Sequence, residues 1–197
     1  MKSFRAMFCG TAILLLLLCS AGSAQSAATI SLVQGWNLVS LPVQPSSTAI
    51  ATVLSGIAGS YEVVWAYPNQ ALKIYDPSDT AGSTLTTMQP GNGYWIKMTS
   101  AKTLSVSGTA PPSSVTLLSG WNLVGYNGPS LTVSASSEGL SALGTNLNVL
   151  WGYPSPSQGW QFYDPTNSGS STLTQLCPGA GYWIEVTGTP TWTLPAN

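Results

Sequence analysis

The clearest pattern along this chain is strict alternation. In Gly93-Tyr-Trp-Ile-Lys-Met98, Tyr94, Ile96 and Met98 fall on one side and Trp95 and Lys97 on the other, the period of a strand with one buried face. Residues 181–186 repeat it, with Tyr182, Ile184 and Val186 opposite Trp183 and Glu185. Residues 61–67 read Tyr-Glu-Val-Val-Trp-Ala-Tyr, aromatic and β-branched types that suit a pleated surface. Gly35-Trp36 and Gly120-Trp121 each interrupt a pair of short apolar runs, which predicts a tight turn or bulge. One segment has a different period. From Ser47 to Ile57, Ile50, Val53, Leu54 and Ile57 fall at i, i+3, i+4 and i+7 behind Ser46-Ser47, so a short capped helix is expected. Its counterpart at 135–143, with Leu140 and Leu143, carries a weaker pattern and contains Gly139.

These segments recur. Ile30-Ser-Leu-Val-Gln-Gly-Trp-Asn-Leu-Val39 pairs with Val115-Thr-Leu-Leu-Ser-Gly-Trp-Asn-Leu-Val124, and Val64-Trp-Ala-Tyr-Pro68 with Leu150-Trp-Gly-Tyr-Pro154. Ile74-Tyr-Asp-Pro77 then pairs with Phe162-Tyr-Asp-Pro165, and Pro90-Gly-Asn-Gly-Tyr-Trp-Ile96 with Pro178-Gly-Ala-Gly-Tyr-Trp-Ile184. The order is kept, and Gly108-Thr-Ala-Pro-Pro-Ser-Ser114 has the composition of a linker. The expected organisation is a signal segment at 1–24, a polar lead at 25–29, a first repeat at 30–110, a linker at 111–113 and a second repeat at 114–197. The fold expectation is mainly β, two tandem pseudo-repeats of a small strand-rich unit, each with one short helix.

Gly-Trp-Asn-Leu-Val, a Trp-x-Tyr strand, a Tyr-Asp-Pro turn and Pro-Gly-x-Gly-Tyr-Trp-Ile, in that order, resemble repeats of exported, surface-associated microbial proteins. The resemblance covers nearly all of the chain after the signal segment. It implies an exported β-rich accessory module and brings no catalytic residue set with it.

The first 24 residues carry Lys2 and Arg5, an apolar run through Ala12 to Leu18, and the small residues Ala21-Gly-Ser-Ala24. That is the layout of a secretory signal peptide, with cleavage after Ala24, or alternatively near Ala27. An uncleaved anchor is the competing reading, since 6–24 is free of charge, but the strongly apolar part is short for a span. Cys19 follows Leu18 rather than the small residue of a lipoprotein signal. Export to the extracellular side, the cell surface or a periplasm is therefore expected, with no membrane span after cleavage.

Composition then narrows the chemistry. Charged residues are 6% of the chain, against about 25% in an ordinary soluble domain, and there is no His. Without His, Ser-His and Cys-His nucleophiles and His-containing metal sites are excluded. Beyond residue 24 only Lys73, Lys97 and Lys102 stand against six carboxylates, with no Arg. Nucleic acid and anionic lipid are thus poor partners. Cys177 is the one cysteine beyond the signal, so no intrachain disulfide or Cys-based metal site exists there; cross-linking of two chains and a buried free thiol both remain open. No cofactor is expected.

Asp76 and Asp164 are the only charged residues kept in both repeats. Two carboxylates across a cleft are the minimum for a glycosidase, but Asp before Pro and Ser or Thr more simply fixes a turn. Aromatics are the remaining resource, with 8 Trp and 8 Tyr. The pairs Trp36/Trp121 and Trp65/Trp151, together with Trp192, are expected to fill cores. Trp95 and Trp183 share a strand face with Lys97 and Glu185, and Trp160 stands in a lengthened hairpin loop, so these three are the candidate ligand-binding residues. The functional expectation is a non-catalytic exported protein for cell-surface adhesion or assembly, its partners being glycan or other surface proteins, with glycan held by exposed aromatics. The alternatives are a self-associating matrix or filament subunit, and a carboxylate-only glycoside hydrolase.

Overall fold

The structure is a computed structural model that describes residues 26–195 apart from 138 and 156. The signal segment lies outside the described residues. Among the described residues no helix is long and apolar enough to cross a membrane.

The fold is mainly β. In the first half the strands are β1 (Ser26–Leu32), β2 (Gly35–Val39), β3 (Gln44–Pro45), β4 (Tyr61–Ala66), β5 (Lys73–Tyr75), β6 (Tyr94–Met98) and β7 (Lys102–Thr109). In the second they are β8 (Ser114–Thr116), β9 (Gly120–Gly125), β10 (Leu131–Thr132), β11 (Leu147–Gly152), β12 (Gln161–Tyr163), β13 (Gln175–Leu176), β14 (Gly181–Val186) and β15 (Thr191–Thr193). Each half holds one four-stranded antiparallel sheet, ordered β2-β6-β4-β5 and β9-β14-β11-β12. Residues paired by the sequence comparison occupy the same places in these two sheets, for example Trp65 opposite Trp95 and Trp151 opposite Trp183.

Each half has its own apolar core under the inner face of its sheet. Ile96, Val64, Met88, Leu104 and Ile57 lie in the first, and Ile184, Leu150, Leu143, Leu176 and Trp192 in the second, all buried. The alternating strand β6 behaves as its sequence dictates, with Tyr94, Ile96 and Met98 inward and Trp95 and Lys97 outward. The tyrosine at its start also ties down the loop before it, since the Tyr94 hydroxyl accepts from Gln89 N–H at 2.7 Å. Tyr182 does the same with Cys177 N–H at 2.9 Å.

Gly-Trp-Asn has a local explanation. Gly35 and Gly120 both adopt φ of +92°, a conformation that costs a side-chain-bearing residue dearly. The buried amide of Asn37 then knits the turn, accepting from Val33 N–H at 2.9 Å and donating to Val33 O and Gly35 O at 2.8 and 3.0 Å. Asn122 makes the equivalent three bonds with Leu118 and Gly120. Between Gly and Asn, the Trp points away from the core.

Several local details differ from expectation. Strand β1 begins within the lead rather than at residue 30: residues 26–29 pair with β7 from Ser26↔Gly108 onward, and exposed Thr29 and Ser31 alternate with inward Ile30 and Leu32. The first helix is only Ile50–Val53, continued by a 3-10 turn at Ser55–Ile57, and its N-cap is Ala49 without a side-chain cap bond rather than Ser46 or Ser47. Its first amide is instead satisfied from a distance, Ile50 N–H donating to Thr86 O at 3.0 Å. The stretch 135–143 forms turns and no helix among its described residues, where Gly139 sits at φ +90°. A single 3-10 turn, Gly144–Asn146, follows.

The halves dock through reciprocal contacts. Ser40 N–H donates to Gly179 O at 2.8 Å, and its counterpart Gly125 N–H donates to Gly91 O at 3.0 Å. A Cβ at Gly93 would come within 2.8 Å of Val124 O and 2.9 Å of Leu123 Cγ. One at Gly181 would come within 2.9 Å of Val39 O and of Leu38 Cδ1. The last glycine of each Pro-Gly-x-Gly motif is therefore where one half lies directly against the other. Two glutamines clasp the same junction. Gln158 Nε2 donates to Gln34 O at 2.7 Å and Trp36 O at 3.3 Å, and Gln70 Nε2 to Ser119 O at 2.7 Å and Trp121 O at 3.2 Å.

Candidate functional site

Strand alternation and the Gly-Trp-Asn turn put tryptophans on the outer face of both sheets. On the first sheet Trp36 of β2, Trp95 of β6 and Trp65 of β4 form one cluster, with ring centroids 4.8 Å apart for Trp36–Trp65 and 6.0 Å for Trp36–Trp95. On the second, Trp121 and Trp183 lie 6.3 Å apart and Trp151 packs on Phe162 at 5.2 Å. The sheets meet along the docked edges, so the clusters join. Tyr153, just past β11, reaches Trp95 at 5.1 Å, and Tyr67, just past β4, reaches Trp183 at 5.3 Å.

Trp160 closes one of these two junctions. It packs on Trp95 at 5.6 Å, on Tyr153 at 5.3 Å and on Trp151 at 6.1 Å, linking the first sheet to the second. The aligned position in the first half is Leu72, which is exposed. The aromatic surface is thus continuous on one side and interrupted on the other.

Two open grooves run along it. One, of about 260 Å³, is lined by Trp36, Trp65 and Trp95 from the first half and Tyr153 and Trp160 from the second. The other, of about 500 Å³, is lined by Trp121, Trp151, Trp160 and Trp183. Trp160 is the wall they share. Seven of the eight tryptophans therefore belong to this face, and the eighth, Trp192, is fully buried in the second core.

Trp95, Trp160 and Trp183 all line the grooves. Trp36, Trp65, Trp121 and Trp151 do so as well, although the sequence points to them as core residues. The correction is plain for Trp65 and Trp121, which keep 38% and 39% of their surface exposed. Trp160 keeps 51%. Strand phase is the signal that would have found Trp65: Val64 and Ala66 are buried on either side of it. A bulge between Tyr61 and Val63 shifts the register of β4 and hides that phase, and β11 has the same irregularity between Leu147 and Val149.

Charge around the face is sparse. Lys97, on the outward side of β6, is paired with Glu62 at 2.6 Å, an exposed ion pair of small energetic weight. Glu185 takes the equivalent position on β14, opposite Trp121, and has no cation within ion-pair distance among the described residues. No charged side chain lines either groove.

Asp76 and Asp164 lie at the far ends of the β4–β5 and β11–β12 hairpins and line no groove. Asp76 Oδ1 accepts from the Ser78 hydroxyl at 2.6 Å and from Ser78 N–H at 2.8 Å; Asp164 Oδ1 accepts from the Thr166 hydroxyl at 2.7 Å and from Thr166 N–H at 2.8 Å. The side-chain hydroxyl bond, then the backbone bond, holds each carboxyl below the usual carboxylate range. A glycosidase acid needs the opposite shift. Among the described residues no group of three or more His, Cys, Asp or Glu is arranged to hold a metal ion. Cys177 is half-buried beside a cleft between the halves, and burial pushes its thiol pKa up, away from a reactive thiolate.

No protein-family model, no curated protein and no solved structure matches this chain.

Proposed function

We propose that this protein is a non-catalytic, exported module of the cell surface that binds glycan through its aromatic face. The observation that carries this reading is the gathering of seven tryptophans on one solvent-facing surface while the eighth is buried. Indoles that served only to fill a core would be expected to resemble Trp192. Contiguous exposed apolar surface marks an interaction site, and pyranose rings offer flat C–H faces that stack on indole while their hydroxyls stay hydrated. Such recognition requires few charges, in keeping with a chain that has few. The expected signal segment supports export, and the carboxylates that a hydrolase would use are engaged in their own turns.

Self-association into a matrix has less support. The outer strands β5 and β12 of the four-stranded sheets are three residues long, a short template for another chain, and the longer template is β1, seven residues at the edge of its sheet with β7 and β3.

The test is binding of the mature protein to a glycan array and to cell-wall fractions, alongside Trp160→Ala and Trp183→Ala variants whose circular dichroism matches the parent. Binding that is lost in the variants supports the reading. Failure of the parent to bind any glycan or wall fraction overturns it.

A further inference from the structure

Resting on the glycan reading above, we propose that the two grooves form one site for a single neutral glycan chain that crosses from one half to the other over Trp160. Three features of the surface lead there. The smaller groove takes its lining from both halves, so neither half alone holds it complete. Trp160 lines both grooves, so a chain leaving one enters the other across the same indole. Of the exposed rings, Trp65 lines only the smaller groove, Trp121 only the larger and Trp160 both, so they follow one another along this path.

The ring angles define the form of the ligand. Neighbouring rings are inclined to one another by 49° for Trp36–Trp65, 88° for Trp36–Trp95 and 64° for Trp95–Trp160. Platforms turned in this way cannot all lie against one flat crystalline face. An isolated chain, which turns about its glycosidic bonds, presents successive sugar faces in different directions and meets them one after another.

Charge defines its chemistry. Lys97 is neutralised by Glu62, while Glu185 at the other end of the path is uncompensated among the described residues. The local field is neutral to negative, so uronate-bearing or sulfated chains meet repulsion with no cation in return.

Occupation of both grooves by one chain makes the second contact intramolecular, and affinity then rises steeply with chain length. The experiment is calorimetric titration of the mature protein with soluble disaccharides and hexasaccharides of β-1,4-glucose, β-1,4-N-acetylglucosamine and α-1,4-glucose. Oligogalacturonate of matching length and a microcrystalline β-1,4-glucan complete the set. In at least one neutral series the hexasaccharide is expected to bind at least about tenfold more tightly than its disaccharide, equivalent to about 1.4 kcal/mol. Trp160→Leu, which installs the residue of the first half, is expected to bring the hexasaccharide close to the disaccharide value; Leu72→Ala, outside both grooves, leaves the length dependence intact. Oligogalacturonate is expected not to bind.

Equal affinity for short and long chains overturns the shared site while the glycan reading stands. So does a length dependence that survives Trp160→Leu. Preference for the crystalline glucan overturns the single-chain form. Absence of binding to every probe overturns this proposal, and the glycan reading falls with it only when the array and the cell-wall fractions are unbound as well.

Discussion

Replacing Gly93 by Ala tests the docking of the two halves with one methyl group. The backbone at Gly93 lies outside the left-handed region, so alanine fits the local conformation and the perturbation is purely one of space. That space is absent. The new Cβ would stand 2.8 Å from Val124 O and 2.9 Å from Leu123 Cγ, and the carbonyl belongs to the paired strand β9, where it cannot simply swing aside. Overpacking of this kind typically costs about 1–3 kcal/mol. In a chain of this size each kcal/mol lowers Tm by about 2–4 °C, so a drop of about 2–12 °C is expected. Gly181→Ala meets Val39 O and Leu38 Cδ1 at 2.9 Å and should lose a similar amount. Gly56→Ala is the control: nothing lies within 4 Å of its Cβ and its φ is ordinary, so the loss of unfolded-chain entropy should leave it neutral or slightly more stable. Thermal unfolding followed by circular dichroism measures all three. If Gly93→Ala and Gly181→Ala melt with Gly56→Ala, the halves do not dock as described.

A tyrosine pair distinguishes the two cores and supplies two further expectations. In the first half Tyr61 lies beside Tyr75, with ring centroids 6.5 Å apart; burial first, then the neighbouring tyrosine, pushes the Tyr61 phenol up to about 12. Because the folded pKa exceeds the ordinary 10.0, this contribution to stability is complete below pH 10 and lost as pH rises toward 12; urea midpoints measured across that window should fall, and fall less in Tyr61→Phe. In the second half Leu147 takes the place of Tyr61, and the buried Tyr163 hydroxyl has no partner among the described residues. Tyr163→Phe removes an unsatisfied polar group and should hold or raise stability by up to about 1 kcal/mol in the same denaturation assay, whereas a clear loss would show that the hydroxyl is bonded.

Much of the fold was legible because strand β6 and its counterpart β14 alternate without interruption, so their period alone gives face and phase. The Gly-Trp-Asn motif was legible as a break, but its purpose was not: the Asn37 amide bonds reach only two to four residues, yet nothing in composition tells a turn-knitting Asn from a surface one. Tryptophan placement was half-legible. Trp95 and Trp183 were exposed by their charged strand neighbours, while Trp65 and Trp151 sit beyond bulges that break the count of alternate positions. Docking was the least visible feature. Its contacts join residues such as Gln158 and Gln34, far apart in sequence and unremarkable locally. The short helix owes its start to a carbonyl from Thr86 rather than to its own serines, so a capping argument could not place it.

Gly93, Tyr94 and Trp95 stand next to one another and divide three tasks among them. Gly93 lies against β9, Tyr94 anchors the preceding loop through Gln89, and Trp95 turns outward to Tyr153 and Trp160 of the other half. In the second half Gly181 and Tyr182 repeat the first two tasks, while Trp183 meets Tyr67. The position of each Trp relative to the opposite half is therefore set two residues away, by the glycine contact. A methyl group that forces the halves apart moves the wall of a groove as well as the interface, because the smaller groove has lining on both sides of the junction. Stability and binding are coupled at this point through one short stretch of strand. Trp160 breaks the balance: with leucine at the aligned position, only one junction carries an indole across it, and the surface acquires a direction that the repeated motifs by themselves do not have.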